Sequence, residues 1–261
     1  MAQMRAAGAS AYLVKPFSQD KCIALVERTL AERRLIAYKE ASRVYISEGA
    51  ARAAEERAAA GDLGAVRAEE RNMSVMFSDI CGFTMMSGKM APRDVIGLLN
   101  EYFDVMCPIV KEHGGDIDKF IGDAIMAVFD HLPERESPAA RAVRAALAMQ
   151  AAMPAFNARA ARPLAMRIGI NTGPLVRGDL GSRFVRRDFT VIGDTVNRAN
   201  RFEGNAPPGG VLISESTYAE LGDLVGVEER EGLQLKGVEA PVRAFVVHSI
   251  RPPESDQEGS S

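Results

Sequence analysis

The apolar pattern along the chain predicts its elements before any composition is considered. The stretch MSVMFSDICGFT, Met73 to Thr84, is an apolar strand that ends at Asp79 and turns through Cys81 and Gly82. After Pro92, a residue suited to the first turn of a helix, Val95, Leu98, Leu99, Tyr102, Met106, Ile109 and Val110 keep one apolar helical face until His113-Gly114-Gly115 stops it. DIDKFIGDAIMAVFD reads as two strands, one through Phe120 and one from Ala124 to Phe129, with a two-residue turn at Ile121-Gly122 and Asp123 beside it. Ser137 is a good N-cap for an alanine-rich helix running to about Ala160. Strands are expected at Met166–Ile170 and Phe184–Ile192, separated by the glycine-punctuated NTGPLVRGDLGS. A helix at Asp194–Phe202, a loop from Gly204 to Gly210, a strand at Val211–Ile213, a helix near Glu215–Leu221 and a strand at Ala244–His248 complete the pattern. Strands and helices mixed without a repeating strand-helix unit predict an α+β fold, or a mixed sheet covered by helices.

Upstream, Tyr12–Val14 read as a strand, Lys15-Pro16 as a break and Gln19–Leu30 as a helix with Ile23, Val26 and Leu30 on one face. One strand and one helix cannot bury a core. From Ala31 to about Arg71 the chain is rich in Ala, Glu and Arg, which favours helix. Leu35, Tyr38, Ser42 and Tyr45 follow steps of three and four residues, which fits a short coiled-coil seam or a single surface helix equally well. Gly61, Asp62 and Gly64 break that helix. The expected organisation is an N-terminal piece at 1–30, a helical linker at 31–70, a core domain at 71–249 and a disordered tail at 250–261, which contains PPESDQEGSS.

Composition bounds the function. A chain of 261 residues, 47% hydrophobic and 26% charged, is long enough for one sizeable core with attachments. Its net charge of −3 gives a nucleic-acid partner no electrostatic support. No apolar run reaches the length of a membrane span and no export signal is evident, so a cytoplasmic chain without a membrane partner is expected. Cys22, Cys81 and Cys107 are too widely spaced for a zinc site and odd in number, which fits reduced thiols.

The candidate chemistry starts at Asp79. A carboxylate ending an apolar strand is costly to bury without a cation against it, although an aspartate there could equally cap the next helix. Asp123 tips the balance, because two strand-end carboxylates are a means of holding oxygen-seeking divalent cations, Mg²⁺ in particular, with water and substrate phosphates as the remaining ligands. Two ions bridged by such a pair can stabilise both the attacking and the leaving oxygen of an in-line displacement at phosphorus. Backbone amides of Cys81, Gly82, Phe83 and Thr84 would face phosphate oxygens if a helix begins there.

FSDICGFT, DKFIGDAIMAVF, RIGINTGPLVRGDLG, DFTVIGDTVNRANR and LKG stand in the order and approximate spacing of the class III nucleotidyl cyclase catalytic domain, which the chain resembles over roughly residues 70–249. The resemblance implies a ferredoxin-like α+β domain working as a head-to-tail homodimer, with active sites at the interface. It implies cyclisation of a nucleoside triphosphate to the 3′,5′-cyclic monophosphate with release of pyrophosphate. By position, Asp79 and Asp123 match the metal-binding pair for two Mg²⁺ or Mn²⁺ ions, with the Ile80 carbonyl as a further ligand. Lys119 and Thr190 match the purine-reading positions, Asn197 the ribose-orienting asparagine and Arg201 the transition-state arginine. Lys236 matches the lysine that reaches the terminal phosphates. Separately, AAGASAYLVKPFSQDKCIALVERTL resembles the last strand and helix of a two-component receiver domain, with Lys15 at its phosphoryl-contacting lysine. The rest of such a domain, including its acceptor aspartate, is missing, which implies a truncated remnant of a longer parent that is not phosphorylated here.

The physical chemistry agrees with those roles. Asn197 and Arg201, at i and i+4, share one helix face, and arginine brings a permanent charge and forked donors to phosphate oxygens. Lysine, a donor only, suits the ring nitrogen N1 of adenine, and a threonine hydroxyl can accept from its amino group. Guanylyl relatives carry an acidic residue where Lys119 stands, so ATP is the expected substrate. Because a hydroxyl can also donate, GTP is an open alternative at this stage, as is a catalytically silent dimerisation or nucleotide-sensing module. HGGD, His113–Asp116, is similar to the signature of diguanylate-type cyclases, but the following IDKFIGD fits the class III hairpin.

Overall fold

A computed structural model describes residues 11–42, 45–61, 67–133, 135–160, 162–182 and 185–252, with the side chains of 39–42 set aside. The chain divides into two compact units, 1–47 and 48–261. In the first, residues 11–18 form no strand and lead into helix α1, Gln19–Ser42. The expected strand at Tyr12–Val14 therefore does not form, since the described residues of this unit offer no second strand to pair with it. Helix α1 also runs without a break across the expected boundary at residue 30, because the Ala/Glu/Arg-rich sequence that follows continues to favour helix. Ile23, Val26, Leu30, Leu35 and Tyr38 are exposed on it, whereas Tyr45 lies beyond its end in a turn and so cannot extend a helical seam. Ser42's side chain, Asp62, Gly64, Phe184 and the tail from 253 lie outside the described residues.

The second unit opens with helix α2, Glu48–Ala60, which the sequence placed in a linker. Polar contacts attach it to the core instead. The Gly49 amide donates to Asp116 Oδ2 at 3.0 Å, Arg57 is bonded to the nearly buried Asp179, and Arg177 Nη2 joins Asp116 at 2.7 Å. The core is an eight-stranded sheet of β1 (Ala68–Ile80), β2 (Asp116–Ile121), β3 (Ala124–Phe129), β4 (Met166–Gly181), β5 (Arg187–Ile192), β6 (Val211–Ser214), β7 (Val225–Leu233) and β8 (Val242–Ile250). Their order is β2-β3-β1-β4-β6-β8-β7, with β5 paired to β4. Every pairing is antiparallel except that of β4 with β6, so the architecture is mixed α+β with a mostly antiparallel sheet.

Two readings of the strands are corrected. The glycine-rich NTGPLVRGDLG is no loop: it lies inside β4, which pairs with β1 from Ile80↔Met166 to Ala68↔Gly178. Its glycines mark close backbone approach, as glycine in a strand interior often does. The β2–β3 turn is Gly122-Asp123, with Ile121 still in the ladder opposite Ala124. Gly122 supplies the positive φ of 65° that this tight turn requires.

Alternation along β1 separates two faces. Met76 and Ile80 join Ile125, Phe129 and Ile168 beneath helices α4 (Pro92–Glu112) and α5 (Pro138–Asn157), while α3 (Phe83–Ser87) is a short helix preceding them. Tyr102, Met106 and Val110 supply the buried stripe of α4, and the Ser137 hydroxyl caps α5 by accepting from Ala140 N. The opposite face, with Met73, Val75 and Phe77, packs under Ala199 of α6 (Asp194–Asn205). Asp79, in phase with Phe77, points to that second face. Helix α7 (Glu215–Leu221) leads from β6 toward β7.

Candidate active site

Helix α6 reaches the sheet closely because Gly169 has no side chain. A Cβ there would stand 1.9 Å from the Glu203 amide nitrogen and 2.6 Å from the Ala199 carbonyl oxygen. That contact holds α6 over a cleft of about 460 Å³ lined by Lys119, Thr190, Asn197 and Arg201, with Phe77 and Val196 among its apolar walls. Four side chains singled out in the sequence, from two strands and one helix, are thus gathered in one place. Asn200, one turn from Asn197, also lines it and was missed, because the sequence offered no periodic or motif signal beyond its neighbours.

Two of the lining residues, Lys119 and Thr190, share a carboxylate that sequence reasoning passed over. The β2–β3 register shifts between Ile117 and Lys119, leaving Asp118 as the extra residue of a bulge. Bulges re-aim side chains, and here the side chains of both Asp118 and Lys119 meet: Asp118 Oδ2 is 3.3 Å from Lys119 Nζ and accepts from Thr190 Oγ1 at 2.7 Å. Burial raises the Asp118 pKa, an effect opposed by the Thr190 hydrogen bond and the Lys119 charge.

The two expected metal-binding carboxylates meet elsewhere, outside the lining of the cleft. Asp123 Oδ2 accepts the Ile80 amide at 3.1 Å, which joins the β2–β3 turn to the end of β1. Burial, then the neighbouring charge of Asp79, push the Asp123 carboxyl up to about 6. Arg167 Nη2 meets Asp79 Oδ2 at 3.0 Å, and Arg167 Nε meets Glu203 at 2.5 Å. Arg167 and Glu203 were also missed; alternation on β4 gave an arginine there no distinction from an ordinary exposed strand position. The donor chemistry fits a hard divalent cation: two carboxylates at adjoining strand ends, one of them raised by burial and by the charge of the other. No group of three or more His, Cys, Asp or Glu side chains that could hold a metal occurs among the described residues, so a cation at Asp79 and Asp123 would draw on backbone and substrate oxygens as well.

The amides following Asp79 are only partly available. Cys81 N donates to the Ala165 carbonyl at 2.8 Å, which removes it from the expected phosphate-facing set. Gly82, in the left-handed conformation, precedes α3, whose first amides, at Phe83 and Thr84, lie where a helix leaves its donors without intrahelical partners. Lys236 is exposed in the turn before Gly237, where a Cβ on Gly237 would lie 3.6 Å from Arg201 Nη2. That turn therefore lies beside the cleft, although Lys236 does not line it.

Comparison with known proteins supplies the family. The Adenylate and Guanylate cyclase catalytic domain family matches residues 66–249. An adenylate cyclase of Anabaena cylindrica is 41% identical over 165 residues, covering 59% of this chain and 32% of its own length, so the chain spans about a third of that curated relative. The crystal structure of the adenylyl cyclase CyaB from P. aeruginosa aligns with a TM-score of 0.66 at 34% identity, over 71% of this chain and 97% of that one. The guanylyl cyclase Cya2 aligns equally well, with a TM-score of 0.67 at 36% identity, over 71% of this chain and 96% of that one. With the matched region taking in all eight strands but for the last residue of β8, and both groups of site residues, the chain belongs to the class III adenylyl and guanylyl cyclase catalytic-domain family.

Proposed function

We propose that the chain is an adenylyl cyclase that converts ATP to 3′,5′-cyclic AMP and pyrophosphate. The observation that carries this reading is the cleft that gathers Lys119, Thr190, Asn197 and Arg201. Lys119 would donate to N1 of adenine and Thr190 would accept from the amino group. Asn197 would orient the ribose so that its 3′-oxygen is in line with the α-phosphorus, a gain of position rather than of covalent chemistry. The 3′-oxygen forms a bond to the α-phosphorus, the bond from that phosphorus to the oxygen of pyrophosphate breaks, and the hydroxyl proton leaves to solvent. Arg201 would meet the negative charge developing on the phosphate oxygens, and Lys236 the terminal phosphates. Mg²⁺ or Mn²⁺ held by Asp79, Asp123 and the Ile80 carbonyl would neutralise phosphate charge and ease ionisation of the attacking hydroxyl.

The carboxylate pair lies outside the cleft, and this favours an active site completed by a second chain. Ile121 and Leu180, which line the cleft, are each 51% exposed, and Phe120 and Ile192 are exposed on the same two hairpins. Exposed apolar side chains grouped there support an interface with a second copy. In a two-fold head-to-tail homodimer, Asp79 and Asp123 of one chain face Lys119, Thr190, Asn197 and Arg201 of the other, giving two equivalent sites. Complementation tests this. Asp79→Ala and Arg201→Ala chains, each inactive alone, should regain up to about a quarter of unaltered activity when mixed, since a random pairing yields half heterodimers with one intact site each. No recovery on mixing would overturn the shared site. Assays with ATP and GTP side by side decide between adenylyl and guanylyl activity. Cyclic nucleotide from neither substrate would point to a silent dimerisation module. The stretch 1–30 we take as the end of a receiver domain, and a cyclase rate that responds to a phosphoryl donor would overturn the expectation that phosphorylation does not regulate this chain.

A further inference from the structure

Threonine at a purine-reading position is ambiguous, because its hydroxyl can donate to the carbonyl of guanine or accept from the amino group of adenine. The surroundings of Thr190 remove that ambiguity. Its Oγ1 donates to Asp118 Oδ2 at 2.7 Å, and the Thr190 residue is only 3% exposed. The Asp118 side chain is 5% exposed and its Oδ2 also lies 3.3 Å from Lys119 Nζ. An ionised carboxylate oxygen that faces the lysine ammonium carries no proton and can only accept, so the threonine hydroxyl donates to it. With its single proton committed to Asp118, Thr190 turns lone pairs toward the cleft. The amino group of adenine finds an acceptor there, while the carbonyl of guanine meets a second oxygen with no proton between them.

We infer that Asp118, set by the bulge of β2, is the residue that fixes Thr190 as a hydrogen-bond acceptor and thereby selects ATP against GTP. It is a positioning residue, acting on the base through Thr190 without touching it. The inference rests on the cyclase reading above and deepens it. Leaving a buried polar group facing the wrong partner costs more than a lost contact, which gives such a site its power to discriminate.

The test compares kcat/KM for ATP and GTP, with Mn²⁺, in the full chain and in Asp118→Asn, which keeps the shape of the carboxylate. An asparagine can turn its NH₂ to Thr190, leaving the hydroxyl free to donate into the cleft. The ATP-to-GTP ratio should then fall about tenfold. In a Thr190→Val background, where there is no hydroxyl to orient, the same substitution should change the ratio less than about twofold. A ratio unmoved by Asp118→Asn, or moved equally in both backgrounds, overturns the inference. Purine riboside triphosphate, which lacks the amino group, provides a measurement on the unaltered chain should Asp118→Asn fail to fold. It should react with a kcat/KM about tenfold below that of ATP, and equality with ATP would overturn the role given to Thr190. An unaltered chain that cyclises neither ATP nor GTP overturns the cyclase reading itself and this inference with it, a result distinct from an active chain whose ratio ignores Asp118.

Discussion

At the scale of single residues, the decisive quantity is the charge state of Asp123. Its carboxyl is raised to about 6 by burial and by the neighbouring Asp79. A raised carboxyl keeps its proton in the folded chain where the unfolded chain has already released it, so its contribution to stability is present below about pH 4 and is lost as pH rises through about 6. A divalent cation demands the ionised form, so metal binding has the opposite dependence. The expected outcome is that the rise in Tm on adding Mn²⁺ is small near pH 5 and grows to about pH 7.5, and that Asp123→Asn removes both the rise and its pH dependence. Differential scanning fluorimetry over that range checks it, and a Mn²⁺ effect that is flat with pH would contradict it. Asp79 and Asp123 were legible in the sequence because an acid at the end of an apolar run stands out. Arg167, Glu203 and Asp118 were not, because each gains its role from a partner far away in the chain: Arg167 from Glu203 across 36 positions and Asp118 from Thr190 across 72.

At the scale of elements, most helices and strands follow from apolar periodicity, and the departures have physical causes. The long strand β4 was divided in the sequence because Gly173, Gly178 and Gly181 look like turn residues, yet both its flanks are paired, to β1 on one side and to β5 and β6 on the other. Tertiary pairing outweighed the local weakness of glycine. Strand β7, VGVEEREGL, went unseen because it is charged, as suits a strand at the end of the sheet order, where charge discourages edge-to-edge association. The element that places the site is α6, seated through Gly169. Gly169→Ala would drive a Cβ into the α6 backbone and force the helix outward. The expected cost is about 1–3 kcal/mol of stability, as for other overpacked cores. Because Asn197 and Arg201 move with the helix, kcat/KM should fall about a hundredfold or more, as small displacements of positioning groups do. Urea unfolding and the cyclase assay together check this; full activity in Gly169→Ala would show that α6 does not need this seat.

At the scale of the whole molecule, the sequence motifs point to the proposed shared site only through the family resemblance, since no pattern within one chain reveals what a second copy would contribute. What the fold adds is the separation of the two groups of residues and the apolar rim around one of them. Lys119, Thr190, Asn197 and Arg201 line the cleft, Asp79 and Asp123 do not, and the exposed Phe120, Ile121, Leu180 and Ile192 sit on the hairpins at its edge. If each active site needs both groups, a lone chain is inactive even with saturating ATP and metal. Specific activity should then rise with chain concentration and level off when dimers dominate, and the midpoint of that rise should coincide with the monomer-dimer midpoint from analytical ultracentrifugation under the same conditions. Lys236, in the turn beside Arg201, gives the dilution series an internal contrast. Lys236→Ala should lower activity at every concentration without shifting the midpoint, because its proposed partner is the triphosphate and not the other chain. Specific activity that stays constant on dilution well below the dimer midpoint would assign the complete site to a single chain and require Asp79 and Asp123 to reach the cleft within it.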